Sequence, residues 1–112
     1  MSNFRNLAVV ELAERVADEI NALIDRGPGR LIHVGQLRDA AQAISSNLRE
    51  GFGRGKGRER NHSLRVARGE TEESIGHLRA NFASRRITVE KYWPLRNRLV
   101  TIVKMINALL KG

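Results

Sequence analysis

Apolar side chains recur at alternating steps of three and four residues in four successive stretches of this chain, and glycine, proline or short polar runs break the pattern between them. That spacing marks an α-helix with one buried face, and it leaves little room for another architecture. In the first stretch, residues 3–26, the stripe is Val9, Leu12, Ala13, Val16, Ile20, Leu23 and Ile24, and Gly27-Pro28-Gly29 stops it. The second, 31–52, carries Val34, Leu37, Ala41, Ile44 and Leu48. The third, 58–86, carries Leu64, Ala67, Thr71, Ile75, Leu78 and Phe82. The fourth, 89–111, follows Thr88 as N-cap and carries Tyr92, Leu95, Leu99, Ile102, Val103, Ile106 and Leu109. No period-two run bounded by turn residues points to a strand. Each segment makes a rod about 30–40 Å long, and four rods joined by short loops predict a single all-α domain, an up-down-up-down four-helix bundle over residues 1–112. Pro94 disturbs the fourth segment: either the regular helix starts later than Thr88 or it kinks there.

Charge narrows the function. The 112 residues hold 20 Lys+Arg against 12 Asp+Glu, net +8, and sixteen of the cations are arginine. Residues 1–26 carry three basic and five acidic side chains, net −2, which leaves +10 for the rest. An acidic partner is the reading. Absence of cysteine excludes disulfides, thiolate metal sites and a cysteine nucleophile. The few aromatics (Phe4, Phe52, Phe82, Tyr92, Trp93) argue against a base-stacking platform. No apolar run reaches the roughly 18 residues of a membrane span, and the start has no continuous apolar stretch of signal-peptide type. A cytoplasmic protein without a membrane partner is expected.

Catalytic, metal and cofactor sites are not expected. His62 and His77 are about 22 Å apart along one helix, and neither they nor His33 has the i,i+4 partner that a helical zinc site needs. Glu70, Glu72 and Glu73 are explained by neighbours, Glu72 standing four residues after Arg68.

The least ordinary stretch is Gly51-Phe52-Gly53-Arg54-Gly55-Lys56-Gly57-Arg58. It fails as a Walker A loop, since Gly57 follows Lys56, and it follows no strand. What remains is a loop of alternating glycine and cation, whose backbone can approach a polyanion closely. Arg49, Arg54, Lys56, Arg58, Arg60, Arg65, Arg68 and Arg79 are the candidate phosphate contacts, with seven basic and two acidic residues between Arg49 and Arg68. The plain alternative is a helix connector with solvated charges. No zinc-finger, leucine-zipper or helix-turn-helix pattern is present, so any binding of RNA or DNA would be backbone-directed and salt-sensitive. The same basic face could instead dock on an acidic protein, as an adaptor or structural assembly partner; a small-molecule-binding bundle ranks third. Gly69, Gly76, Ala80 and Ala83 line a second side of the third segment, where interior glycine is costly: either another backbone approaches there or the glycines are tolerated. Phe4, Leu7 and Val10 add apolar residues beyond the first stripe.

The run from Arg38 to Arg54 resembles the signature of the four-helix bundle proteins, also called 23S rRNA intervening-sequence proteins. Ile44, Asn47, Glu50, Gly51 and Arg54 match it, and Ala67, Gly69 and Glu73 match a second motif. Ile87-Thr88 fits the usual entry to the last helix. Ala43, Arg49 and Glu70 depart from it, standing where a serine, an alanine and a serine are usual. The resemblance implies an antiparallel, left-handed four-helix bundle that is not an enzyme, and a homo-oligomer, commonly a pentamer. More distant kin are accessory proteins of diversity-generating retroelements, which bind nucleic acid and a reverse transcriptase. Asn47, Glu50 and Glu73 are expected to set helix register, with Glu50 capping or pairing across segments two and three.

Overall fold

The computed structural model describes residues 3–27 and 30–112, and they form four α-helices: α1 (Phe4–Arg26), α2 (Val34–Gly53), α3 (Arg58–Ala83) and α4 (Val89–Lys111). No strand occurs among the described residues. Asn3 caps α1, its Oδ1 accepting from the amides of Arg5 at 2.8 Å and Asn6 at 3.4 Å. Gly27 ends the helix, its amide donating to the Leu23 carbonyl at 3.0 Å; Pro28 and Gly29, the rest of the expected stop, lie outside the described residues.

Two helix boundaries differ from the sequence reading for backbone reasons. α2 begins at Val34 rather than Leu31, because His33 adopts the left-handed conformation (φ 57°, ψ 38°). Ile32 just before it is held from outside: Asn81 Oδ1 accepts from the Ile32 amide at 2.7 Å and Asn81 Nδ2 donates to its carbonyl at 3.0 Å. α3 ends at Ala83 rather than Arg86, because Arg85 turns left-handed (φ 62°). The Arg86 amide then reaches back to the Asn81 carbonyl (2.8 Å) and the Arg85 amide to Phe82 (3.0 Å), the paired bonds of a Schellman stop. At α4 Thr88 does cap, its hydroxyl accepting from the Lys91 amide at 3.3 Å. The helix begins there and runs through Pro94, so the later start is not adopted. Pro94 lies in the second turn and forfeits one bond to the Glu90 carbonyl, on an exposed residue that water can serve.

α1 packs against α2 and α4, and α3 against α2 and α4, so α1 and α3 stand on opposite sides. The body measures 43 × 22 × 20 Å. Every helix supplies the core: Val9, Val16 and Ile20, then Leu37, Ile44 and Leu48, then Leu64 and Leu78, then Leu99, Ile102 and Ile106, all fully buried. α3 gives the most polar share. Thr71, Ser74 and Asn81 are wholly buried. The two hydroxyls are satisfied within the helix, Thr71 donating to Ala67 O (2.7 Å) and Ser74 to Glu70 O (2.9 Å). Near the α3–α4 turn Phe82 stacks on Tyr92 with centroids 4.1 Å apart, and Trp93 packs edge-on against both. No helix among the described residues is long and apolar enough to cross a membrane.

Candidate nucleic-acid interface

The distribution of paired and unpaired charge follows from the packing order. α1 is the acidic helix and lies between α2 and α4, whose arginines answer it. Arg49 pairs with Glu14, Arg38 with Asp25 at 3.0 Å, and Arg98 with both oxygens of Glu19 at 2.8 Å. The acids of α1 answer no cation of the α2–α3 loop or of α3, and Arg5 and Arg26 of α1 itself are likewise exposed without an ion pair among the described residues. Among the described residues, Lys56, Arg58, Arg65 and Arg79 are exposed and have no carboxylate within 4 Å.

The loop that carries the first of these is shaped by its glycines. Gly51 is buried where α2 meets the start of α3: a Cβ there would lie 3.0 Å from Ser63 Cβ and 3.2 Å from the Arg60 carbonyl. Gly55 (φ 74°) and Gly57 (φ 140°) then take conformations that other residues adopt only under strain. Glu50 does not reach α3 itself. Arg54 does the bridging, donating to Glu50 at 3.1 Å and to Glu59 at 3.3 Å, so a carboxylate–arginine–carboxylate chain closes over the loop.

The other expected contacts separate. Arg60 is not on the surface: it is 7% exposed, and its Nη2 donates to the Leu109 carbonyl at 2.7 Å. It cannot join an exposed row, because its place on α3 points it between α3 and the end of α4. Arg68 is half-buried and donates to Asn107 Oδ1 at 2.8 Å, across to α4 rather than along its own helix to Glu72. That bond points to cations outside the expected set. Lys104 and Lys111 stand three residues before and four after Asn107, hence on the same side of α4. Both are exposed without an ion pair among the described residues. The unpaired charge therefore extends from the glycine loop along the α3–α4 side. Its signal in the sequence is that residues 89–111 hold five basic residues against one acidic. Glu72 and Glu73 interrupt the row on α3 between Arg65 and Arg79.

The motif residues have structural surroundings. Ile44 is fully buried. Asn47 Nδ2 donates to the Ala43 carbonyl of its own helix at 2.8 Å and reaches no other helix. Gly69 and Gly76 face open space, with nothing within 4 Å of an added Cβ, so no backbone of the same chain approaches them. Glu73 Oε2 lies 3.4 Å from His77 Nε2, so His77 does have an i,i+4 partner, a carboxylate rather than a second histidine, and His33 meets His77 edge to face at 5.3 Å. Burial, and secondarily the Glu73 charge, push the Glu70 carboxyl above its ordinary value. Among the described residues no three His, Asp or Glu converge in a way that could hold a metal ion.

Comparison with known proteins agrees with this architecture. A family model described as 23S rRNA-intervening sequence protein matches residues 5–108. A crystal structure of a protein of unknown function from the S23 ribosomal protein family of Bacteroides thetaiotaomicron VPI-5482 has the same fold. Its TM-score is 0.83 at 20% identity, over 97% of this chain and 100% of that one. No curated protein matches the sequence.

Proposed function

The chain belongs to the 23S rRNA-intervening sequence protein family, a family of unknown function, and we propose that this member is a non-enzymatic, self-assembling four-helix protein of the cytoplasm that binds the phosphate backbone of RNA or DNA. One observation carries the reading: the acidic helix neutralises arginines on its own side, while Lys56, Arg58, Arg65 and Arg79 are left exposed and unpaired among the described residues. Lys104 and Lys111 widen that surface. Arginine donors on a stiff helix suit phosphate oxygens, and contacts of that kind carry no sequence information. Arg49 and Arg54 are recruitable, because exposed ion pairs contribute only about 0–1 kcal/mol each.

Self-assembly is supported by Phe4, 83% exposed, and Leu7, 44% exposed, on α1, away from the arginine row of α3. Several copies would multiply the cationic surface, and light scattering against the 12.6 kDa chain gives the number directly.

The test is binding of generic RNA and DNA across about 50–200 mM salt, with the Arg58→Glu/Arg65→Glu/Arg79→Glu chain alongside. Affinity should fall in the variant for all sequences alike. On duplex DNA the dependence on log salt should become shallower by about 0.9 for each phosphate that is no longer neutralised. No binding at low salt, or binding indifferent to the reversal, refutes the reading. A partner captured from nuclease-treated lysate by the same arginines would favour docking on an acidic protein instead.

A further inference from the structure

Arg60 raises a question that the exposed surface does not answer. Its side chain is 7% exposed, its Nη2 is spent on a neutral carbonyl, and its Nε is buried without a hydrogen-bond partner. Among the described residues, neither a side-chain carboxylate nor the Gly112 terminus lies within 4 Å of its nitrogens. Arginine stays protonated at physiological pH, and a buried charge without a counter-ion is costly. Elsewhere the chain supplies acids to less buried arginines: Glu14 to Arg49, Glu19 to Arg98, and Glu50 and Glu59 to Arg54.

Arg60 lines a cavity of about 360 Å³ at the end of the bundle where the start of α1, the α2–α3 loop and the last turn of α4 meet. Arg5 and Lys56 line it too, with Asn3, Asn6, Phe52 and Gly112; no acidic side chain does, and the Gly112 carboxylate offsets one of the three cations, leaving a net charge of about two for a ligand. Three cations thus converge on one concavity beside the N-terminal turn of α1, the positive end of that helix. The loop enters it at Gly55, which takes a left-handed backbone (φ 74°). The volume falls in the range of small-ligand sites, about 300–1,000 Å³. It exceeds the needs of a bare ion, and the half-buried Phe52 ring offers a wall to an attached group.

We propose that this cavity binds a phosphate monoester, its oxygens held by Arg5, Lys56 and Arg60 against the first turn of α1. A dianion matches that net charge and a helix N-terminus better than a carboxylate, which would leave part of the charge uncompensated. The site shares Lys56 with the edge of the basic surface but none of Arg58, Arg65 or Arg79, and it does not depend on nucleic-acid binding along α3. The same chemistry is offered by the 5′-phosphate end of a strand and by a small phosphate ester.

Calorimetric titration of the full chain with inorganic phosphate, with adenosine monophosphate, and with one oligonucleotide carrying a 5′-phosphate or a 5′-hydroxyl tests it. The Arg5→Gln/Lys56→Gln chain changes only exposed side chains and keeps the fold; Arg60→Met probes the buried one. Saturable binding of a monoester is expected, weakened at least about tenfold in the surface double variant. It should be unchanged by Arg65→Glu/Arg79→Glu, and it should shift the Arg60 Nε–H resonance. Tighter binding of the 5′-phosphorylated oligonucleotide than its 5′-hydroxyl twin identifies a strand end as the source. Adenosine monophosphate binding with no difference between the twins identifies a small ester. No saturable binding of any monoester, or equal binding by the Arg5→Gln/Lys56→Gln chain, overturns the proposal whatever the α3–α4 surface does.

Discussion

Replacing Asn81 by alanine should cost this protein about 3 kcal/mol, within a span of roughly 2–5. The side chain is wholly buried near the end of α3 and makes three bonds: from the Ile32 amide at 2.7 Å, to the Ile32 carbonyl at 3.0 Å and to the His77 carbonyl at 2.8 Å. The His77 carbonyl lies in a helix and loses little. The two Ile32 groups lie in irregular chain, and each left unmet costs about 1–3 kcal/mol where water is excluded. Ile32 is half-buried, so water softens the loss and the lower half of that range applies to each. The vacated volume adds a packing cost. Asn81→Leu separates the two contributions, since it restores bulk and leaves Ile32 unpaired. Urea unfolding at one fixed protein concentration is the assay, because self-association would otherwise move the midpoint. Exchange of the Ile32 amide should accelerate in both variants. If Asn81→Leu unfolds within about 1 kcal/mol of the parent, the hydrogen-bonded tie contributes nothing and the reasoning fails.

Arg85→Gly should stabilise the chain by roughly 0.5–1 kcal/mol, since the left-handed stop of α3 (φ 62°) strains a side-chain-bearing residue while glycine adopts it freely, partly offset by glycine's looser unfolded state; thermal unfolding checks it, and a lower midpoint contradicts it. Glu70→Gln should help at neutral pH. Burial and Glu73 raise the Glu70 carboxyl above 4.5, so the folded state binds its proton more tightly than the unfolded state does. That contribution is present below the unfolded value and is lost as pH rises through the folded one. The stability of the variant relative to the parent should therefore grow as pH increases, and urea midpoints at several pH values read the trend; a flat difference would contradict it.

The helices were legible because their apolar periods are strong: Val16, Ile20, Ile44, Leu48, Leu99 and Ile102 were expected inside and are buried. Boundaries were less so. His33 and Arg85 carry no sequence mark of a left-handed backbone, which glycine or asparagine would have given. Asn81 was invisible for another reason, since its partner Ile32 is 49 residues away and only the tertiary fold brings them together. Charge density along the chain, which marks the phosphate-binding candidates, is a one-dimensional measure. It could not know that α1 would neutralise Arg49, that Arg60 would be buried, or that Lys104 and Lys111 would share a side with the residue that Arg68 meets.

The two ends of the bundle are fastened unequally. At the end where α3 turns into α4, Asn81 grips Ile32, Arg86 donates to the Arg30 carbonyl at 2.7 Å and three aromatic rings interlock. At the other end the start of α1, the last turn of α4, a loop with glycine at positions 53, 55 and 57, and a cavity come together. Local opening takes the path with least to break, so the molecule should fray from the cavity end and unzip toward the aromatic end. Anything that settles between Arg5, Lys56 and Arg60 would then act as a clasp across the first helix, the loop and the last helix, and would set how often the bundle opens at all.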